Sequence, residues 1–199
     1  MLLLIFTTIG NMILAGVKLV FSLTIPSLWF FVNSGFLIVL SLARFFSIRD
    51  YGRRRNINDE KEKERIGNKN YLINGIMLII LGIMYFFVSV YMYYKGTNTI
   101  MHEYLTYLVA LSAFWSISWA IYGMIKYKKS SSPILKAVKI TNFANALTSI
   151  ILTQVVLLDT FSNGYDSSSV NGYTGMSVSL TIIIMGIYMI ITVNKEGNN

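Results

Sequence analysis

The chain has 199 residues, 54% of them hydrophobic and only 13% charged, with 17 Lys and Arg against 9 Asp and Glu, for a formal net charge of +8. A water-soluble domain carries about 25% charged residues, so this sequence lacks the polar surface to cover a soluble globule, and a soluble enzyme is excluded. Helices that cross a bilayer need apolar runs of about 20 residues to traverse about 30 Å of hydrocarbon, and six such runs can be read along the sequence.

The first span covers 2–23, and Pro26 closes a hairpin into a second at 28–48. An apolar N-terminus also suits a cleaved secretory segment. Here no basic residue precedes Leu2, no small-x-small site follows, and the run exceeds the usual apolar core of about 7–15 residues, so a retained span is expected. The third span is 72–94, the fourth 104–125, the fifth 137–158 and the sixth 174–193. Ser131, Ser132 and Pro133 open the fifth helix, because a hydroxyl accepts unpaired backbone N–H groups and proline suits the first turn. Barrel strands would alternate apolar and polar residues over about 10 positions, whereas 72–90 is apolar on every face apart from Asn74 and Ser89. The expected fold is all-α: a polytopic membrane protein, one six-helix transmembrane domain over 1–199.

Short loops rich in Lys and Arg stay cytoplasmic. Arg44, Arg49, Arg53, Arg54, Arg55, Lys61, Lys63, Arg65 and Lys69 are assigned to the loop after the second span, and Lys126, Lys128, Lys129, Lys136 and Lys139 to the loop after the fourth. With Lys195 these make 15 of the 17 basic residues, which places both termini inside a multi-pass protein of the plasma membrane. The segment 49–70 reads as a basic cytoplasmic loop, a solvated linker or short helix. Within it Arg53, Arg54 and Arg55 suit anionic lipid headgroups at about 1 kcal/mol per charge, while the acids of DEKEKER at 59–65 oppose nucleic-acid binding. The Ser-, Asn- and Gly-rich loop 159–172 is expected outside.

Ionisable groups inside hydrocarbon are expensive and mark ion paths or proton relays. All nine carboxylates fall outside the apolar runs, which argues against proton coupling through a buried acid. One histidine, His102 beside Glu103, cannot supply the several ligands of a four-coordinate metal site, and nucleophilic catalysis needs a base that no span contains. No metal, cofactor or catalytic site is expected. Lys18 is read as the one intramembrane charge. It lies about 8 Å from the outer end of the first span at 1.5 Å per residue, within snorkelling reach; an inward-facing cation that meets solutes is the alternative.

Polar uncharged residues form stripes. On the fifth span Ala137, Thr141, Asn145, Ser149 and Thr153 recur every fourth residue, with Asn142 and Ala146 alongside, so they share one face. Ser112, Ser116 and Ala120 do so on the fourth span, Asn33 and Ser41 mark the second, and Asn74 and Gly75 the third. Such faces either pack helices, with membrane hydrogen bonds worth about 0.6–2 kcal/mol each, or line a path. Trp29, Tyr91, Tyr93, Tyr94, Tyr122 and Tyr127 near span ends form an interfacial aromatic belt.

The hairpin of the first two spans, Asn11–Lys18 (NMILAGVK) followed by Ser27–Asn33 (SLWFFVN), resembles the membrane domain of the cation diffusion facilitator family of metal efflux transporters. Asn145–Ile150 (NALTSI) is similar to that family's fifth-helix motif, and the run from Gly67 to Gly75 into the third span also resembles it. The resemblance implies a six-helix, cation-efflux-like bundle with cytoplasmic termini, and a homodimer. In the family two residues of helix 2 and two of helix 5 bind a divalent ion; here those positions hold Asn33, Leu37, Thr141 and Asn145, and neutral groups cannot replace carboxylates for such an ion. The family's C-terminal metal-binding domain has no counterpart in the few residues after the sixth span.

Two functions follow as expectations. In the first, a transport-type protein uses Asn33, Asn74, Thr141, Asn142, Asn145 and Ser149 to line a path for a neutral or weakly charged solute. In the second, a non-transporting scaffold or regulatory subunit uses the same stripes to pack its helices or a partner.

Overall fold

The computed structural model describes residues 9–10, 12–13, 16, 19–20, 28–96, 103–126, 132–161 and 166–197. Five long helices account for nearly all of them: α1 (Leu28–Arg55), α2 (Glu60–Lys95), α3 (Glu103–Lys126), α4 (Pro133–Phe161) and α5 (Ser168–Gly197). Each is long and apolar enough to cross a membrane, and they match the second to sixth spans in order. Most of the first span, with Lys18, and also His102, lie outside the described residues.

The helices outrun their apolar cores. The segment 49–70, expected as a basic loop in the form of a solvated linker or short helix, is helical over most of its length: it is the end of α1 and the first three turns of α2, joined through residues 56–59. Local chemistry sets this boundary where hydropathy does not. The Asp59 carboxylate accepts the Lys61 backbone N–H at 3.0 Å, Glu60 and Glu62 occupy the first turn, where the helix dipole favours negative charge, and Lys63 pairs with Glu60 one turn back. At the other end Gly96, with φ of 83°, takes a backbone conformation that glycine adopts without penalty, and its N–H is accepted by Met92 O at 2.9 Å.

α2 and α5 form the tightest antiparallel pair. Gly75 meets the backbone of Gly186, and Gly82 meets the backbone of Ser179 and Ile183. The small residues advance by sevens in opposite directions, so the same register sets Ser89 opposite Gly172, which packs on Tyr93. Small residues let two backbones approach closely, and a seven-residue step keeps the seam on one face of each helix.

α4 is the hub, packed against all four other helices, whereas α3 packs chiefly on α4 and α1 lies against α2 and α4. Pro133, the first residue of α4, sits on Gly67 of α2, and the Arg54 guanidinium at the end of α1 donates to Ser132 Oγ at 2.8 Å. The bundle centre is Leu78, Tyr85, Ile151, Leu152, Val155, Ile182 and Met189. Large apolar side chains also cover the outside, Phe87 being 67% exposed, while Asn33, Ser47, Asn70, Asn74, Thr141 and Asn145 are buried. Polar groups buried within an apolar core, under an outside of large apolar side chains, differ from the polar surface of a water-soluble globule.

Candidate functional site

Because α1 and α3 both lean on α4, a cavity of about 190 Å³ opens between them. Its walls are Arg44 from α1, Trp115, Ser116, Trp119 and Ala120 from α3, Asn142 and Asn145 from α4, and Ile9, Gly10 and Ile13 from the N-terminal segment. Trp115 and Trp119 stand edge to face at 5.9 Å, and Ser116 Oγ donates to Ser112 O at 3.0 Å. The wall thus combines an indole pair, small and amide side chains, and one guanidinium.

Arg44, assigned from the sequence to the loop after the second span, falls inside a helix. Arg44 lies within α1, 1% exposed, eleven positions before Arg55 at the helix end, about 16 Å at 1.5 Å per residue. The signal was present: Phe45, Phe46 and Ile48 continue the apolar run past Arg44, and Asn33, Leu37, Leu40 and Arg44 recur at helical spacing. They share the inward face of α1, and all four are buried.

The predicted polar residues separate into distinct surroundings. Asn142 and Asn145 line the cavity. Asn145 is 3% exposed, and its Oδ1 has no hydrogen-bond partner among the described residues. Thr141 and Ser149 are buried on the same helix, but Thr141 Oγ1 donates to Val138 O at 3.0 Å and Ser149 O accepts from Thr153 Oγ1 at 3.0 Å, so these bonds stay within α4. Asn33 stands away from the cavity. Three helical turns before Arg44, it donates to Tyr85 Oη at 3.5 Å, beneath the edge-on contact of Phe36 with Tyr85.

Asn74 belongs to a clasp between α1 and α2. Its Nδ2 donates to Asn70 O at 2.8 Å and to Asn70 Oδ1 at 3.1 Å. Asn70 Oδ1 also accepts from Ser47 Oγ at 3.0 Å, and Asn70 Nδ2 donates to Asp50 Oδ2 at 2.8 Å. Every polar group named there has a partner, which is the arrangement of a helix-packing network. A second clasp ties the far ends of α4 and α5, where Asp159 Oδ1 accepts from Ser167 Oγ at 2.6 Å and from Asn171 Nδ2 at 3.3 Å.

The six candidates therefore divide by what they touch. Asn74, Thr141 and Ser149 bond within or between helices, Asn33 meets Tyr85, and Asn142 and Asn145 face the cavity beside a cation that sequence reasoning missed. Compared with known proteins, the chain matches no family model and no curated protein.

Proposed function

We propose that the chain is a multi-pass membrane protein of the transport type, whose six-span, cation-efflux-like bundle holds a solute-binding cavity between α1, α3 and α4. One observation carries the reading: Arg44 lines a cavity together with Asn142 and Asn145 along helices apolar enough to span a bilayer. A cation at that depth is expensive, and such residues face water-filled cavities and substrate pathways. Under the positive-inside rule the end of α1 and the start of α4 lie at the cytoplasmic face of the plasma membrane. Arg53, Arg54 and Arg55 there meet anionic headgroups, and a homodimer is the assembly that the family resemblance suggests.

The scaffold reading draws on the two clasps, whose side-chain bonds join neighbouring helices. The two readings differ in whether the cavity is wet. The sequence has no cysteine, so the single change Ser116→Cys places one thiol in the cavity wall. Modification by small membrane-impermeant methanethiosulfonates is expected for a transport-type cavity. A thiol that resists these reagents in the folded protein, yet reacts after denaturation, favours the scaffold.

A further inference from the structure

We infer that the groove between α3, α4 and α5 binds one anionic phospholipid, whose phosphate meets Lys139 while an acyl chain lies along the apolar wall. The inference rests on the multi-pass membrane reading and is independent of any solute in the cavity beside Arg44.

Shape and lining come first. The groove holds about 510 Å³, more than the cavity beside Arg44. Met124 comes from α3, Lys139, Ile140 and Phe143 from α4, and Ile184 and Tyr188 from α5. Met124, Phe143, Ile184 and Tyr188 are exposed, so the groove is reached from outside the bundle. The Asp159–Ser167 bond ties the end of α4 to the start of α5, which sets the two helices antiparallel. Lys139 then Phe143 on α4, and Tyr188 then Ile184 on α5, therefore step in the same direction away from the basic end. A cation at one end and an apolar length beyond it is the order of a phospholipid.

Charge is the second feature. Lys139 is half-buried, six positions after Pro133, about 9 Å along α4 at 1.5 Å per residue. Lys136 stands one turn before it, and like charges at that spacing repel. No acid occurs from 133 to 158, and none of the groove-lining residues is acidic. An anion from outside the chain offsets this repulsion, and basic pockets between membrane helices on the cytoplasmic side hold anionic headgroups.

The alternatives fit less of the groove. Free phosphate leaves the apolar length without a partner. A second copy packed two-fold would present the same lysines to the same patch, and its carboxylates fall outside the apolar runs.

The sequence has no cysteine, so Leu180→Cys, one turn along α5 from Ile184, gives the full-length protein a single thiol for a bimane label beside the groove. Ile80→Cys on α2 is the reference for ordinary lipid contact. It is exposed, lies outside the groove lining, and sits near the same depth, because Gly82 meets Ser179 across the α2–α5 seam. Each protein is reconstituted in phosphatidylcholine nanodiscs, and quenching by phosphatidylglycerol or phosphatidylcholine carrying an acyl-chain nitroxide is measured. At Leu180 the half-maximal mole fraction is expected to be about fivefold lower for phosphatidylglycerol; at Ile80 the two lipids should be equal. Unlabelled phosphatidylglycerol should reverse the quenching at Leu180, and glycerol 1-phosphate should not.

Lys139→Gln is expected to bring the two lipids to parity at Leu180, and Lys139→Arg to keep the preference. Ile184→Trp, which fills the groove and leaves the lysine in place, should also abolish it. Quenching at neither position overturns the membrane reading together with this inference. Quenching at Ile80 but not at Leu180 shows protein over the groove, such as a second copy, and overturns the lipid alone. Equal quenching by both lipids at Leu180, a preference that survives Lys139→Gln, or reversal by glycerol 1-phosphate overturns it as well.

Discussion

Asn74 and Asn145 are both buried amides on neighbouring helices, and their surroundings predict opposite outcomes for replacement by leucine. Asn74 donates into the clasp of Asn70 and Ser47, so Asn74→Leu removes these bonds and crowds a packed site; a loss of about 1–2 kcal/mol is expected, read as a lower melting temperature in detergent. Asn145 carries an unpartnered acceptor beside a cavity that gives leucine room. Asn145→Leu removes the penalty of that acceptor and is expected to leave the melting temperature unchanged or raise it. A residue kept against stability is explained by function, and a melting temperature that falls with Asn145→Leu as far as with Asn74→Leu would remove that argument. The sequence revealed both amides as polar residues in apolar runs. It could not separate them, because the distinction lies in partners contributed by other helices.

At the scale of the element, the α2–α5 seam turns on distances that only the fold reveals. A Cβ on Gly186 would stand 2.7 Å from Gly75 O and from an Ile79 methylene, and the carbonyl belongs to a helix backbone that cannot rotate away. Gly186→Ala is therefore expected to lower the melting temperature. Gly35→Ala on α1, where nothing lies within 4 Å of the added methyl, is expected to stabilise by about 0.5–1 kcal/mol through helix propensity. The start of α5 is sensitive to pH. Asp166 Oδ1 accepts the Ser168 backbone N–H at 3.0 Å, and the hydrogen bonds from Ser168 hold its carboxyl below the usual carboxylate range. A depressed folded-state value means that the stabilisation is present above the unfolded pKa of about 3.9 and disappears as pH falls through the lower folded value. Melting temperatures taken from about pH 5 downward should fall further for the wild type than for Asp166→Asn, which cannot titrate; parallel curves would show that the cap carries no pH dependence. The five helices were legible from apolar length, and the buried stripe of Thr141, Asn145 and Ser149 from its four-residue spacing. The seven-residue recurrence of Gly75, Gly82 and Ser89 against Gly172, Ser179 and Gly186 was equally present in the sequence, but two such series become a seam only when the helices are known to be antiparallel neighbours. The sequence left 49–70 as linker or short helix, and its continuity with the third span from Glu60 was not read because the Asp59 cap and the Lys63–Glu60 pair, rather than hydropathy, extend α2 beyond its apolar core.

Across the whole molecule the polar groups concentrate at two ends. The basic end joins Arg53, Arg54 and Arg55 of α1 to the start of α4 through the Arg54–Ser132 bond, and the opposite end holds the clasp of Asp159, Ser167 and Asn171. Three helices separate Asn58 from Tyr165, so reporters inserted there should read opposite sides of the membrane, Asn58 on the cytoplasmic one by the positive-inside rule, and a shared side would overturn this topology. The position of the N-terminus then decides between five crossings and six. If 2–23 crosses, a reporter fused ahead of Leu2 lies on the Asn58 side; if α1 is the first crossing, it lies on the Tyr165 side. Ile9, Gly10 and Ile13 line the same cavity as Arg44 and Trp115, so these three residues lie against helices apolar enough to cross a membrane. The proposed six-span topology puts the N-terminal reporter on the Asn58 side. Gly10 itself lies in the cavity wall. Replacing Gly10 by tryptophan is expected to fill the wall and slow modification of the Ser116→Cys thiol by at least about tenfold, with the reporter pattern unchanged. An unaltered rate would mean that the cavity is bounded without the first span.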